Sequence, residues 1–307
     1  MRAGLASAVL FSLVVATAGE ASGRRSTGGQ PVSRQRTSRA VRPAVVRAAA
    51  SRPAAMPRGV KGKNFRLAGS VRPDRYDVEL RLDPAAGTFA GKARIAIDLD
   101  VPTREITLHS IGHRFGPMSV RVGRRTVRVA AIERSRKSET VTLFLAEPVP
   151  AGRANLHLAW TGTINEGLRG LYRADDRLVV TQFEAADARR AIPSFDEPSF
   201  KARWALTVEA PADTVVRSNG EVLRSTVTGG VRRTRFATTR KLSSYLVAIG
   251  AGDLVPSRVN RAGKVAVRTW TTPGKEDLTR FAQTVGRTAI LRLERYFGRR
   301  YPFGKID

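Results

Sequence analysis

The sequence predicts a mainly β protein, an antiparallel sheet domain followed by one long helix. Two observations predict it: many short runs alternate apolar and polar residues between turn signals, and one stretch near the C-terminal end has helical spacing. A third excludes the doubly wound alternative, because strands and helices do not alternate regularly and no internal repeat is visible. In Arg75 to Leu82, Tyr76, Val78, Leu80 and Leu82 alternate with Asp77, Glu79 and Arg81, the period of a strand with one wet face. A turn at Asp83-Pro84-Ala85-Ala86-Gly87 leads into Phe89 to Leu99, with Ile95, Ile97 and Leu99 on one face, so the two runs read as a hairpin. Further strands are expected at 105–110, 119–122, 126–133, 140–144 and 154–161. A second strand-rich section covers 178–183, 202–209, 214–218, 231–237, 245–253 and 264–270. Ser218-Asn219-Gly220 offers hairpin turn chemistry, since Asn and Gly tolerate positive φ.

After Pro273 the period changes. Glu276 to Phe297 places Leu278, Phe281, Ala282, Val285, Ala289, Leu293 and Phe297 near helical spacing. Glu276 and Asp277 suit the free N–H groups of the first turn, and Gly298 suits the end. The apolar face either docks on the sheet or belongs to a domain whose remainder is absent.

Composition narrows the function classes. The 307 residues include three His and no Cys, so neither disulfides nor thiolate chemistry is available. The formal charge of +28 divides into a tail and a body. Residues 24–63 carry eleven Lys or Arg and no acid, whereas residues 64–307 carry 42 basic against 25 acidic residues, or +17. A diffuse excess of this kind does not identify a specific nucleic-acid partner. Residues 1–18 read as a signal peptide, with Arg2 at the start, an apolar run from Leu10 to Val15, and Ala16 and Ala18 forming an A-x-A cleavage signal. The expected location is therefore exported, periplasmic or extracellular. The apolar run is too short to cross a bilayer, and no transmembrane segment is expected. Residues 19–63, rich in Arg, Ser, Ala, Gly and Pro without hydrophobic periodicity, read as a disordered basic arm.

Catalytic constellations are sparse. His109, His113 and His157 fit no zinc-ligand pattern, no H-E-x-x-H segment occurs, and surface or edge-strand positions are expected for them. Ser194 and Ser199 lack a G-x-S-x-G elbow, and Gly167, Gly170, Gly229 and Gly230 form no phosphate-loop pattern. The densest polar segment runs from Thr181 to Lys201. Strand alternation puts Gln182 and Glu184 on one face, where a carboxylate would bind a cationic amine and an amide would bond to a ligand backbone. The residues themselves equally allow a structural network, in which Asp187, Arg189, Arg190, Asp196 and Glu197 tie a loop to the sheet.

At this segment the sequence resembles the N-terminal region of the zinc-dependent M1 aminopeptidases, the aminopeptidase N and puromycin-sensitive group. The resemblance rests on Gly167-Leu168-Arg169-Gly170-Leu171-Tyr172-Arg173, Thr181-Gln182-Phe183-Glu184 through Asp187-Ala188-Arg189-Arg190, and Phe195-Asp196-Glu197-Pro198 with Phe200-Lys201-Ala202. Leu242 to Ala248, Gly252-Asp253-Leu254, and Tyr296-Phe297-Gly298 before Tyr301-Pro302 continue the ordered series, which covers about Leu67 to Asp307. It implies a twisted, saddle-like antiparallel β domain over 64–256 and the truncated start of a thermolysin-like α/β catalytic domain over 257–307. It implies that Glu184 binds the free α-amino group of a peptide substrate and that Gln182 shapes the pocket for the first side chain.

The family's G-x-M-E-N loop, H-E-x-x-H helix and third zinc-ligating Glu lie beyond Asp307. The resemblance therefore implies zinc in the complete enzyme, where it activates water for attack on the first peptide carbonyl with a helix Glu as general base. It implies no cofactor, metal ligand or catalytic residue in this chain, an inactive N-terminal portion, and the missing catalytic region as a further partner. Whether the chain is itself an enzyme stays open. The alternative reading is a non-catalytic secreted β module that binds peptide, cell-envelope polymer or a separate catalytic half.

Overall fold

The computed structural model describes residues 66–307, so the expected signal peptide and the basic arm lie outside the described residues. The first half of the described chain is a succession of strands: β1 (Val71–Arg81), β2 (Thr88–Leu99), β3 (Thr103–His109), β4 (Arg114–Val122), β5 (Arg125–Ser135), β6 (Thr140–Val149) and β7 (Gly152–Thr163). Then come β8 (Gly170–Asp175), β9 (Leu178–Gln182), β10 (Arg203–Pro211), β11 (Val215–Ser218), β12 (Val222–Thr228), β13 (Val231–Phe236) and β14 (Ile249–Gly252). Short strands β15 (Val255–Pro256), β16 (Asn260–Ala262), β17 (Val265–Val267) and β18 (Trp270–Thr271) precede the helix α1 (Thr279–Phe297), and β19 (Lys305–Ile306) follows it.

Ten strands form one open sheet in the order β12-β13-β10-β1-β2-β7-β4-β5-β6-β3, whose two ends do not meet. The expected hairpin is present, β1 pairing antiparallel with β2. Alternation decides which face is dry: Phe89, Ala93, Ile95, Ile97 and Leu99 of β2 and Leu156, Leu158 and Trp160 of β7 enter the core. The opposite face carries ion pairs, with Asp77 accepting from both Arg75 and Arg94 at 2.8 and 2.6 Å.

The sheet is not wholly antiparallel, which corrects the sequence expectation. β1 runs parallel to β10, with Tyr76 in register with Trp204, and the two rings stack at 4.0 Å with an interplanar angle of 2°. A parallel pair needs a long crossover, and here it is the whole stretch from β2 to the loop before β10. Alternation in a single strand carries no information about partner direction, so the sequence did not show this.

A second sheet has the order β11-β14-β9-β8. Ser218-Asn219-Gly220 is not a hairpin turn within one sheet; it carries the chain from this sheet to β12 at the edge of the first. Asn219 acts through its side chain, donating to the Leu246 carbonyl and accepting from the Ala248 N–H, both at 2.8 Å. At Gly220 a Cβ would stand 2.2 Å from the Ala237 carbonyl oxygen, so glycine is required there by close backbone approach. The expected strand over 245–253 is instead a 3-10 turn, Ser244–Leu246, followed by the short β14.

The helix forms where the period predicted it and ends at Gly298, whose φ is +61°. It packs, however, by a different face from the one the apolar spacing suggested. Ile290 is buried against Ala262, Val265 and Val267, while the Gln283 amide and the Arg287 Nε–H donate to the Arg258 and Arg261 carbonyls at 2.9 and 3.0 Å. Leu278, Phe281, Val285 and Phe297 of the predicted face are exposed, Phe281 to 80%. Periodicity shows which residues share a face, but the short β16–β17 hairpin is wide enough to cover only the stripe through Ile290. Ile290→Ala is expected to destabilise this unit by about 2–3 kcal/mol, and Phe281→Ala to change it by less than about 0.5 kcal/mol. Amide hydrogen exchange along α1 would measure both, and the opposite ranking would show that the helix is seated the other way round.

Candidate functional site

The segment between β9 and β10 is the site the sequence singled out. Gln182 is the last residue of β9, opposite Gly170 of β8. Phe183 inserts into the core at 2% exposure, and Glu184 lies just past the strand end in a turn. The two polar residues thus flank a buried aromatic anchor, and the chain turns between them. Gln182 is half-buried and Glu184 exposed, and neither side chain has a hydrogen bond or ion pair among the described residues. Neither lines the cavity of about 380 Å³ under the neighbouring loop, which Arg66, His109, Glu139, Arg189 and Asp196 help to form.

The structural network allowed by the sequence is present beside them. Asp187 receives Arg169 in a bidentate pair at 2.9 and 3.0 Å and Arg190 at 2.7 Å. Burial alone would raise the Asp187 carboxyl, but the hydrogen bonds from Arg169 and Arg190 outweigh it and hold the group below the usual carboxylate range. Arg189 and Asp196 form a pair almost out of water, with side chains 9% and 2% exposed: Nε donates to Oδ2 at 2.9 Å, and Nη2 donates to the Asp196 carbonyl at 2.9 Å. Ser244 Oγ donates to the other Asp196 oxygen. Glu197 accepts from the Leu67 N–H at 2.6 Å.

Two members of this network were not singled out as such in the sequence. Arg169 stands on the β7–β8 loop. Glu139 reaches Arg189 at 2.9 Å from the β5–β6 turn, where its φ is +54°. No spacing rule links Glu139 to a residue 50 positions away; only its unusual backbone marks it once the fold is known.

The loop is also stitched to the first sheet. His109 and Ser194 exchange backbone hydrogen bonds at 2.9 and 3.1 Å, the Phe195 N–H donates to the Tyr76 hydroxyl at 3.0 Å, and the Trp160 indole donates to the Ala191 carbonyl at 3.0 Å. Opposite Gln182, Gly170 takes φ +69°, and a Cβ there would stand 2.7 Å from Arg190 Cβ, so this wall of the segment admits only glycine without rearrangement.

The histidines correct the expectation of surface or edge positions. His109 and His113 are 2% and 1% exposed; only His157 is partly open. His109 Nδ1 accepts from the Asp196 N–H at 3.3 Å, and His113 Nδ1 meets Ser110 Oγ at 2.9 Å. Burial pushes both imidazoles down to about 4, with Arg189 lowering His109 further and Arg134 lowering His113. Among the described residues no group of three or more His, Asp or Glu is placed to hold a metal ion. Asp196 and Glu139 beside His109 are already committed to Arg189, and no further His among the described residues converges there, so these residues do not fit a zinc centre. Ser194, fully buried, has no hydrogen bond from its hydroxyl, which is not the exposed position a nucleophile needs.

The geometry is that of a β scaffold on which one strand end and its turn, carrying Gln182 and Glu184, reach the surface. Residues 72–246 match the Peptidase M1 N-terminal domain, and the chain belongs to the M1 peptidase family through this domain. Aminopeptidase M1-D of Oryza sativa subsp. japonica is 34% identical over 252 residues, which cover 79% of this chain and 28% of the rice protein. Aminopeptidase N of Acetobacter pasteurianus is 32% identical over 250 residues, covering 78% of this chain and 69% of that protein. Alanine/arginine aminopeptidase of Saccharomyces cerevisiae is 30% identical over 258 residues, covering 78% and 29% respectively. The chain spans under a third of the length of its plant and yeast relatives.

The buried histidines set a pH dependence. Their folded values near 4 lie below the ordinary value of about 6.5, so between these limits the unfolded chain binds more protons and stability falls as pH falls. Urea midpoints are expected to drop from pH 7 to pH 4.5, with each histidine accounting for at most on the order of 3 kcal/mol once protonation is complete. His109→Asn and His113→Asn, which replace the imidazole by a group that does not titrate, should each flatten the profile; an unchanged slope would show that the imidazoles are not buried neutral.

Proposed function

We propose that this chain is the N-terminal, amine-recognising portion of an exported zinc aminopeptidase, and that it does not hydrolyse peptides alone. One observation carries this. Of the four carboxylates between 184 and 197, Asp187, Asp196 and Glu197 are each held by a cation, a hydroxyl or a backbone N–H, and Glu184 is the one with no partner among the described residues. An exposed carboxylate left free on a segment fixed on both sides suits a ligand ammonium, here the free α-amine of a peptide. Gln182, on the adjoining strand end, suits a role in shaping the pocket for the first side chain. The names of the relatives support the substrate class.

The saddle-like domain over 64–256 and the thermolysin-like start over 257–307 belong to the same proposal. The exposed apolar face of α1 supports it, since Leu278, Phe281 and Tyr296 present surface that a following catalytic region would cover. The described residues do not fit a zinc site, so metal-dependent water activation is assigned to that region.

In the complete enzyme, Glu184→Gln is expected to lower kcat/KM for free-amine peptides by about 10- to 100-fold and to erase their advantage over N-acetylated peptides. Retention of that advantage would remove the amine role from Glu184. The purified chain with added zinc is expected to show no chelator-sensitive cleavage of an amino-acid amide; such cleavage would overturn the assignment of catalysis to another region.

A further inference from the structure

A second concavity lies far along the chain from Glu184, where the edge of the ten-stranded sheet meets β11 and the short strands around the helix. Its volume is about 490 Å³, within the usual range for small-molecule sites. Its lining carries four cationic residues, Arg217, Arg232, Arg268 and Lys305, against two acidic ones, Glu221 and Asp307, a balance of +2.

The four cations are not equivalent. Arg232 is committed to the Ala212 carbonyl and Ser225, and Lys305 to the Ser218 carbonyl and Asp307. Arg217 makes one hydrogen bond, from Nη1 to the Val216 carbonyl at 2.8 Å, and the Arg268 side chain makes none among the described residues. Neither has an ion pair among the described residues. Both guanidinium groups lie over the Trp270 ring, Arg217 at 3.8 Å and Arg268 at 5.4 Å from its centroid.

The ring face partly offsets two like charges held together, but it leaves their hydrogen-bond donors unused. Nε of Arg217, Nε of Arg268 and Nε1 of Trp270 are all buried without an acceptor. Three buried donors without acceptors on one cavity wall are costly unless an anion compensates the field they create. Burial, with Arg268 and Arg232 adding to it against the opposing effect of Asp307, holds Arg217 below the ordinary guanidinium range, consistent with a cation short of counter-charge.

We propose that this cavity binds a dianionic phosphate group, gripped by the free Nη donors of Arg217 and Arg268 and carried on a small molecule that fills the rest of the space. A tetrahedral dianion matches the +2 balance in charge, which a single carboxylate does not, and offers acceptors to two planar guanidinium forks at once. The volume exceeds what inorganic phosphate needs, and Val215, Val222 and Ala266 supply apolar wall for an organic substituent.

The test is titration of the purified chain with inorganic phosphate and, in parallel, phenyl phosphate, at ionic strength held constant with chloride. Trp270 fluorescence and calorimetry are the readouts. Trp160 and Trp204 are buried at 2% and 1%, and Trp270→Phe identifies their background signal. Saturable binding weakened roughly tenfold or more in Arg217→Met and Arg268→Met, with Arg280→Met on the exposed helix surface unchanged, is the expected result. Arg268→Lys, which keeps the charge and loses the fork, should fall between them, and circular dichroism checks that each variant is folded. Tighter binding of phenyl phosphate identifies a phosphate monoester as the ligand class, and equal binding identifies free phosphate. No saturation by either probe, or binding equal in all folded variants, overturns the proposal.

Discussion

Arg189 and Asp196 sit seven residues apart in a segment with little regular structure, yet their charges are held almost entirely away from water. An arrangement of this kind survives only when both groups are fully satisfied, because stripping either of its partner leaves a buried charge with no compensation. Satisfying them recruits three other parts of the chain. Glu139 comes from the β5–β6 turn, Ser244 from the turn before β14, and His109 accepts the Asp196 N–H from the end of β3. The pair therefore fixes the path of the loop and holds the two sheets against each other. Glu184 owes its position to this framework, since its own side chain makes no hydrogen bond or ion pair among the described residues.

The stacked Tyr76 and Trp204 rings supply the complementary apolar constraint. Their register fixes β10 parallel to β1, and the Tyr76 hydroxyl reaches out of the stack to take the Phe195 N–H. One aromatic pair thus sets both the unusual strand direction and the height at which the loop crosses the sheet. Polar and apolar constraints meet within two residues, at Phe195 and Asp196.

Much of the β architecture was legible because alternation is a local property. Tyr76, Val78, Leu80 and the Ile95–Leu99 stripe point inward as their period required. Sheet membership, strand direction and helix seating were not legible, since each depends on a distant partner. The Ser218-Asn219-Gly220 turn shows why: its residues suit a hairpin, but the next strand finds a better neighbour in another sheet. β12 escaped notice because Val222, Leu223 and Val227 are exposed on an edge strand and leave no clean alternation. At the site, the charged residues of the loop were visible, but their pairing was not. His109 looked like a strand-end surface residue until Ser194 and Asp196 closed over it.

The charge pattern of the body gains meaning from these pairings. A +17 excess over residues 64–307 would suggest indiscriminate adhesion to polyanions if it were spread evenly. Many of its cations are neutralised locally, as where Arg233 bridges Glu79 and Glu209 or Asp187 collects two arginines. Against that background an unpartnered charge is worth testing as a binding group where the other carboxylates of its loop are engaged or where its donors are buried. Glu184 is such a charge of negative sign, and Arg217 with Arg268 is a pair of positive sign. Glu184 follows β9 and Arg217 stands on β11 of the same four-stranded sheet, two strands apart, and they call for ligand groups of opposite charge. Each sits on backbone that neighbouring hydrogen bonds hold in place, Glu184 beside the Asp187 and Asp196 network and Arg217 on β11 paired with β14.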